Sequence, residues 1–192
     1  PQVRGRRIGF HPPVRWVLRA PRSEYSEALR RMYTQLTLAD LRNPPRVVLF
    51  TSPLPGEGKT TTLLALGRLL AGTGRRVVAV DLNLRKPTLH AVAGVSASSG
   101  LGEWFRAADD RPPPLYPDPL STLQVLPAGR LYVDPGVLLT SDRFEGLLAT
   151  LRRDFDVVLL DSSPLLAVVD AQVLACAVDA TVLLVRAGQT TR

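Results

Sequence analysis

The sequence has few of the residues that build disulfide or metal frameworks. It contains one cysteine, Cys176, and two histidines, His11 and His90, among 192 residues. A single cysteine cannot form an internal disulfide, and without a cysteine and histidine cluster a zinc site is not expected. Cys176 lies in the apolar stretch 173–178, which predicts a buried, inert thiol in a reducing compartment.

Long apolar runs are also missing. No run approaches the ~20 residues that span a bilayer, and no signal-peptide pattern is present. With 45% hydrophobic and 21% charged residues, the composition is typical of a globular domain, and the length suits one domain with a full core. Because the chain begins at Pro1, we expect it to be a piece of a longer protein.

Acidic residues are absent before Glu24, whereas six arginines lie in that segment. We interpret residues 1–22 as a basic, proline-rich leader and residues 23–192 as the globular domain. The leader could be a juxtamembrane segment attracted to anionic lipid, at about 1 kcal/mol per basic residue near the surface, or a solvated linker. Binding to nucleic acid is not expected, because no recognition motif accompanies the charge.

The most informative segment present is 51–61, which joins an apolar run at 47–50 to an apolar helical pattern at 63–66. Its glycines and its Gly-Lys-Thr ending predict a phosphate-binding loop that leads into a helix. A tight turn would explain the glycines but not Lys59 and Thr60. Lys59 is one of only two lysines among 24 basic residues. The candidate nucleotide-binding residues here are Pro55, Gly56, Glu57, Gly58, Lys59, Thr60 and Thr61.

Short, wholly apolar segments alternate with helical patterns along the chain. Strands are predicted at 47–50, 77–80, 123–126, 157–160 and 181–185, and helices after Ser23, after the loop and at 141–153. A proline-rich excursion is predicted at 111–119. This pattern predicts an α/β fold, a P-loop NTPase with a mostly parallel central sheet and helices on both faces.

Two carboxylates come directly after predicted strands. Asp81 follows residues 77–80, and Asp161 follows residues 157–160. Ligands of parallel sheets bind outside the carboxyl ends of the strands, so we expect both carboxylates to lie beside the phosphate loop. There they could hold Mg²⁺ together with the hydroxyl of Thr60 and orient a nucleophile.

Three segments together resemble the nucleotide motifs of bacterial tyrosine kinases. They are the loop at 52–60, the stretch 81–90 after the second strand and the stretch 161–170 after Asp161. These kinases are cytoplasmic domains of polysaccharide co-polymerases, which control capsule and exopolysaccharide polymerisation and export. The similarity extends from about residue 8 to the end of the chain.

The resemblance implies an ATP-dependent protein-tyrosine autokinase. Lys59 and Thr60 would bind ATP and Mg²⁺, Arg85 would join the nucleotide-binding residues, Asp81 would coordinate metal or activate the tyrosine hydroxyl, and Asp161 would complete the metal shell. It also implies a membrane-spanning co-polymerase segment as a partner, on the same or a separate chain, possible homo-oligomers, and a location in the cytoplasm at the inner face of the plasma membrane.

Several departures from the family pattern leave alternatives open. Asn83 stands where the family has a second acid, Glu27 where it has an arginine, and the tyrosines form no cluster. A catalytically weak, ATP-binding regulatory module of the same system therefore remains a second hypothesis. A ParA-like or MinD-like ATPase is a third, although Leu54 replaces the signature lysine of that group.

Overall fold

The computed structural model describes residues 12–107, 109 and 111–188. Within these ranges the elements follow one another as α1 (Pro12–Arg19), α2 (Glu24–Ala39), β1 (Val47–Thr51), α3 (Lys59–Ala71), β2 (Val77–Leu82), α4 (Leu89–Ala93), α5 (Leu101–Ala107), β3 (Tyr116–Pro117), β4 (Gln124–Leu126), α6 (Pro135–Leu139), α7 (Asp142–Asp154), β5 (Val157–Ser162), α8 (Asp170–Ala175) and β6 (Ala180–Leu183).

The strands form one six-stranded sheet in the order β3-β4-β2-β5-β1-β6. All neighbouring pairs are parallel except β3 and β4. The prediction of a mostly parallel sheet is therefore confirmed. The proline-rich excursion contributes β3, and Pro117 fits there because an edge strand tolerates the missing N–H.

Helices cover both faces of the sheet, as predicted. The first core cluster packs α1, α2, α3 and α4 against one face, and the second packs α5, α6, α7 and α8 against the other. The strands β1, β2 and β5 are buried along their whole length. Burial on two faces explains why they lack the alternation of apolar and polar residues seen in half-exposed strands.

Two helices begin where the sequence predicts. The Ser23 hydroxyl accepts a hydrogen bond from the Ser26 amide and caps α2, and Ser141 caps α7 through the Phe144 amide. On α7 the apolar face, made of Phe144, Leu147, Leu148 and Leu151, is buried. Side-chain caps and amphipathic spacing therefore determine these two helices.

Helix α1 occupies part of the segment that the sequence predicts to be a leader. Val14 and Val17 are each 1% exposed in the first core cluster, and the Val14 carbonyl accepts a hydrogen bond from Arg68 on α3. Residues 12–19 are thus packed onto the domain, because two valines three positions apart share one helix face. The arginines at 4, 6 and 7 lie outside the described residues, and the boundary at residue 22 stays a prediction.

Cys176 contradicts the expectation of a buried thiol. It follows the last residue of α8 and is exposed. Only Asp170, Ala171 and Leu174 of α8 are buried, so the apolar residues around Cys176 do not form a continuous core segment. No helix within the described ranges combines the length and the apolarity needed to cross a membrane.

Candidate active site

The loop between β1 and α3 has the backbone of a phosphate-binding loop. Gly56 and Gly58 have φ angles of +82° and +92°, a region that side chains with a Cβ rarely occupy. Gly58 directly precedes Lys59, the first residue of α3. The sharp turn therefore ends at a helix N-terminus, where backbone N–H groups and the helix dipole favour an anion.

Lys59 is largely buried at the base of this loop. Its Nζ donates a hydrogen bond to the Ser52 hydroxyl over 3.0 Å. Burial lowers the pKa of Lys59, while the charges of Asp161 and Glu57 oppose that shift. Ser52, the partner of Lys59, is the first residue of the 52–60 segment, but the sequence assigned it no role of its own.

The side chain of Glu57 supports the loop from behind. Its carboxylate accepts hydrogen bonds from the amides of Leu54, at 2.8 Å, and of Arg186, at 3.2 Å. The first contact closes the loop, and the second ties the loop to the chain that follows β6. The carboxylate thus acts on loop geometry, and Glu57 is the one predicted nucleotide-binding residue that is not part of the cleft lining within the described residues.

Asp81 and Asp161 lie side by side at the carboxyl ends of β2 and β5. They are partners in the parallel register, and both side chains are fully buried. The Thr60 hydroxyl donates to Asp161 Oδ2 over 2.6 Å. Asp81 accepts hydrogen bonds from the amides of Leu89 and Asn83, at 3.0 and 3.2 Å.

Both carboxylates hold protons more tightly than ordinary aspartates. Burial, assisted by the charge of Asp161, raises the pKa of Asp81 to about 8. Burial also raises the pKa of Asp161 to about 6, although Thr60 and Lys59 counteract it. Two buried carboxylates at adjacent strand ends thus create a region of negative potential next to the phosphate loop.

The donor set at this position suits Mg²⁺. Among the described residues, Asp161 Oδ1 is buried without a hydrogen-bond partner, so this oxygen is available to a cation or its water shell. Thr60, Asp81 and Asp161 offer only oxygen atoms, which Mg²⁺ prefers. The described ranges contain no group of three or more His, Cys, Asp or Glu side chains that could hold a metal ion. Mg²⁺ is bound by one or two carboxylates together with substrate phosphates in many nucleotide sites.

A cleft of about 560 Å³, within the usual range for a small-molecule site, is lined by Thr60. Asp81 and Asp161 are fully buried and, within the described residues, are not part of its lining. Its polar edge combines the phosphate loop with residues that follow β2 and β5. The predicted residues that line it are Pro55, Gly56, Gly58, Lys59, Thr60, Thr61 and Arg85, and Asn83, Lys86, Thr88 and Ser163 join them.

Two side-chain pairs at the cleft were not predicted. Arg85 binds Asp170 through two contacts of 3.1 and 3.3 Å, and the Asp170 side chain is 1% exposed. The Ser163 hydroxyl donates to Asn83 Oδ1 over 3.1 Å. Only the tertiary structure brings Asp170 to Arg85, a residue 85 positions away.

Comparison with known proteins agrees with this geometry. Residues 48–175 match the model of the CobQ/CobB/MinD/ParA nucleotide binding domain family. Tyrosine-protein kinase YwqD of Bacillus subtilis is 32% identical over 170 residues, which cover 88% of this chain and 72% of that protein. Other curated tyrosine-protein kinases that match are longer, and the chain spans 20–24% of their length.

Solved structures give the same picture. The kinase domain of Escherichia coli tyrosine kinase ETK superposes with a TM-score of 0.85 at 27% identity, covering 100% of this chain and 74% of that chain. Cobyrinic acid a,c-diamide synthase from Mycobacterium smegmatis, solved with a bound ATP analog and magnesium, gives a TM-score of 0.59 at 25% identity over 75% of this chain and 61% of that chain. The likeness to the kinase domain thus includes the whole chain.

Proposed function

The chain belongs to the bacterial tyrosine kinases, within the CobQ/CobB/MinD/ParA nucleotide-binding family, and we propose that it transfers the γ-phosphoryl group of ATP to tyrosine with Mg²⁺. The observation that carries this proposal is the group of Thr60, Asp81 and Asp161 at the mouth of the phosphate loop. This group combines a hydroxyl with two buried carboxylates. One oxygen of the second carboxylate, Asp161 Oδ1, has no hydrogen-bond partner among the described residues.

Lys59 would neutralise phosphate charge. Its ammonium donates a hydrogen bond to the Ser52 hydroxyl, and burial lowers its pKa. A triphosphate brought to the loop would stabilise the charged form and draw Nζ toward the β- and γ-phosphates. The loop amides and the N-terminus of α3 would hold the same phosphates, so position and charge account for most of the expected rate.

Asp81 is the candidate acceptor of the tyrosine hydroxyl proton. Without a neighbouring cation, its pKa of about 8 keeps much of it protonated at neutral pH. A bound Mg²⁺ would supply positive charge that favours both ionised carboxylates and neutralises the reacting phosphates. Once ionised, Asp81 can take up the hydroxyl proton, while the two amides of Leu89 and Asn83 hold its carboxylate in place.

We place this kinase in capsule and exopolysaccharide polymerisation and export, in the cytoplasm at the inner face of the plasma membrane. The support is family membership together with the excess of arginine before Glu24, which suits an anionic lipid surface. The expected partner is a membrane-spanning co-polymerase segment, on this chain or another. Homo-oligomers are part of the proposal, although Glu27 pairs with Arg30 on its own helix.

A catalytically weak, ATP-binding regulatory module is the second candidate, and Asn83 favours it. An amide at this position accepts the Ser163 hydroxyl but adds neither negative charge nor a base. ATP binding would survive this exchange, because the loop and Lys59 do not depend on residue 83. Phosphoryl transfer would slow if a third carboxylate is required.

Transfer of radiolabel from [γ-³²P]ATP to a glutamate–tyrosine copolymer tests the proposal. We expect Mg²⁺-dependent labelling that falls at least ~100-fold in Lys59→Ala, since one lost charge-stabilising group typically costs that much. Arg153→Ala is the matched control, because Arg153 is an exposed cation on α7 that pairs with its neighbour Asp154, and it should label like the unaltered chain.

Three results would change the proposal. Intact ATP binding without any phosphotyrosine would favour the regulatory module. Hydrolysis strongly stimulated by DNA would favour a ParA-like ATPase. Normal Mg·ATP binding by Lys59→Ala would overturn the assignment of the loop itself.

A further inference from the structure

The four tyrosines of the chain, all within the described residues, have different surroundings. Tyr25 packs against the first core cluster, and burial raises its pKa. Tyr33 is 8% exposed, and its hydroxyl accepts a hydrogen bond from Arg75. The Tyr116 hydroxyl lies 3.1–3.2 Å from partners in Ser98 and Ser99. Three of the four phenols are therefore engaged in packing or hydrogen bonds.

Tyr132 differs from these three. It is 42% exposed and lies in the irregular segment between β4 and α6, where the next two residues, Val133 and Asp134, are exposed as well. An acceptor tyrosine has to enter the cleft of a kinase in an extended, accessible segment. Of the four tyrosines, Tyr132 is the one that combines an irregular backbone segment with an exposed ring.

Two arginines stand over the ring of Tyr132. The guanidinium carbon of Arg106, in the last turn of α5, lies 4.4 Å from the ring centroid, and that of Arg130 lies 5.5 Å away. Within the described part of the chain neither guanidinium forms an ion pair with a carboxylate. Both charges are therefore available to an anion that arrives at the phenol oxygen.

The nearby carboxylates are already engaged elsewhere. Glu103 accepts hydrogen bonds from the amides of Gly100 and Arg130, both at 2.8 Å, and Asp134 accepts the Gly136 amide at 2.8 Å. These backbone contacts hold the two acids in place and leave the guanidiniums to the tyrosine. The local arrangement is thus two cations over the ring of one exposed tyrosine.

We propose that Tyr132 is a phosphorylation site of this kinase and that Arg106 and Arg130 bind the phosphate. The inference rests on the proposed function, since it names a substrate residue of that activity. In the reaction, the bond between the γ-phosphorus of ATP and its bridging oxygen breaks, and a bond from the Tyr132 hydroxyl oxygen to that phosphorus forms. ADP leaves, and the phenol proton passes to the catalytic carboxylate and then to water.

The two arginines explain why such a phosphate would persist. A phosphotyrosine carries a charge of about −1.5 to −2 at neutral pH, and guanidiniums bind phosphate oxygens in pairs of charge-assisted hydrogen bonds. One arginine comes from α5 and the other from the same segment as Tyr132. Phosphorylation would therefore add a charged contact between Tyr132 and α5 to the hydrogen bonds that already join this segment to α5, such as that from the Arg130 amide to Glu103.

Phosphosite mapping by mass spectrometry tests the proposal. Wild-type chain with Mg·ATP is used to phosphorylate an excess of the Lys59→Ala chain, which serves as substrate only. We expect phosphate on Tyr132, and we expect Tyr132→Phe in the Lys59→Ala background to lose most of the incorporated label. Tyr116→Phe is the matched control and should incorporate as much label as before. Circular dichroism of each variant confirms folding.

The contribution of the arginines is measured by the rate at which a tyrosine phosphatase removes the phosphate. In Arg106→Ala/Arg130→Ala, removal from Tyr132 should be roughly tenfold faster, the equivalent of one charge-assisted hydrogen bond lost. An unchanged rate would overturn their role. A labelled copolymer with unmodified Tyr132 would overturn the site while sparing the proposed function, whereas absence of label on both would overturn the function and the site with it.

Discussion

Two fully buried carboxylates of this domain, Asp118 and Asp161, have opposite surroundings. Asp118, just after β3, binds Nε and Nη2 of Arg68 and also accepts the Leu120 amide and the Ser121 hydroxyl. Asp161, at the end of β5, receives one hydrogen bond, from Thr60, and its second oxygen has no hydrogen-bond partner among the described residues. Both residues are less than 5% exposed.

The difference separates a structural role from a functional one. A buried carboxylate that has all its partners belongs to the architecture: through Arg68, Asp118 joins α3 to α1 and α4. A buried carboxylate that lacks partners destabilises the nucleotide-free fold. Its retention beside a phosphate loop makes sense if a ligand completes its coordination.

Breaking the buried ion pair between Arg68 and Asp118 should have the largest effect on stability. Arg68→Ala leaves Asp118 buried without its cation and removes the donors to the Val14 and Ala93 carbonyls. We expect a loss of about 3–5 kcal/mol in the free energy of unfolding, seen as a fall of roughly 6–20 °C in Tm. Thermal unfolding followed by circular dichroism measures it.

The matched control for this change is Arg76→Ala. Arg76 also binds an aspartate, Asp156, but their side chains are 61% and 39% exposed. Such a surface pair contributes little, so Tm should stay nearly constant. Equal losses in the two variants would show that burial does not distinguish the pairs.

Adding negative charge beside Asp81 and Asp161 should have a smaller effect. Asn83→Asp places a third carboxylate next to Asp81, whose Oδ1 already accepts a hydrogen bond from the backbone N–H of residue 83. If missing charge limits the rate, Mg²⁺-dependent transfer to the copolymer should rise about tenfold, or 1.4 kcal/mol. Asn83→Ala, which removes the Ser163 contact without adding charge, should show no gain. A rate that Asn83→Asp leaves unchanged would mean that two carboxylates suffice.

The smallest effect is expected at the residue behind the loop. Glu57→Gln keeps the shape but turns one acceptor into a donor that faces a backbone N–H. Loss of about 1 kcal/mol should raise the KM for ATP roughly fivefold while kcat changes little, as measured by steady-state kinetics. Glu103→Gln is the matched control, because Glu103 also accepts two amides, away from the cleft. A raised KM in both variants would point to general destabilisation.

The two aspartates also differ in how well the sequence predicts their positions. Asp81 and Asp161 were predicted at the site because each follows an apolar strand, and parallel strands end at one edge of a sheet. Asp118 carries no such signal: it lies in a proline-rich stretch, and its partner Arg68 is 50 positions away in the apolar second half of α3. The same holds for Arg85 and Asp170. Local patterns predict strand ends and helix caps, whereas pairing of distant charges follows from the packed structure.

Helix α1 illustrates a second limit. Its two buried valines are too few for periodicity to stand out among the neighbouring arginines and prolines. Val14 and Val17 pack against the core surface formed by α3, and their role in the core follows from that contact. Short helices depend on tertiary contact more than on their own sequence.

The central claim is that Asp161 is kept unsatisfied for Mg·ATP, and the stability of Asp161→Asn tests it most directly. Burial raises the folded-state pKa values of Asp161 and Asp81 to about 6 and about 8. The stability linked to their protonated forms is therefore present at low pH and lost as pH rises through these values. An amide oxygen can still accept the Thr60 hydroxyl, but it adds no charge.

The measurement is Tm of the wild type and Asp161→Asn at pH 5 and pH 9, with and without Mg·ATP. We predict that the nucleotide-free variant is more stable at pH 9, by on the order of 2 kcal/mol, that this advantage shrinks at pH 5, and that Mg·ATP raises Tm of the wild type only. A variant that is less stable than the wild type at pH 9, or that Mg·ATP stabilises equally, would contradict the claim.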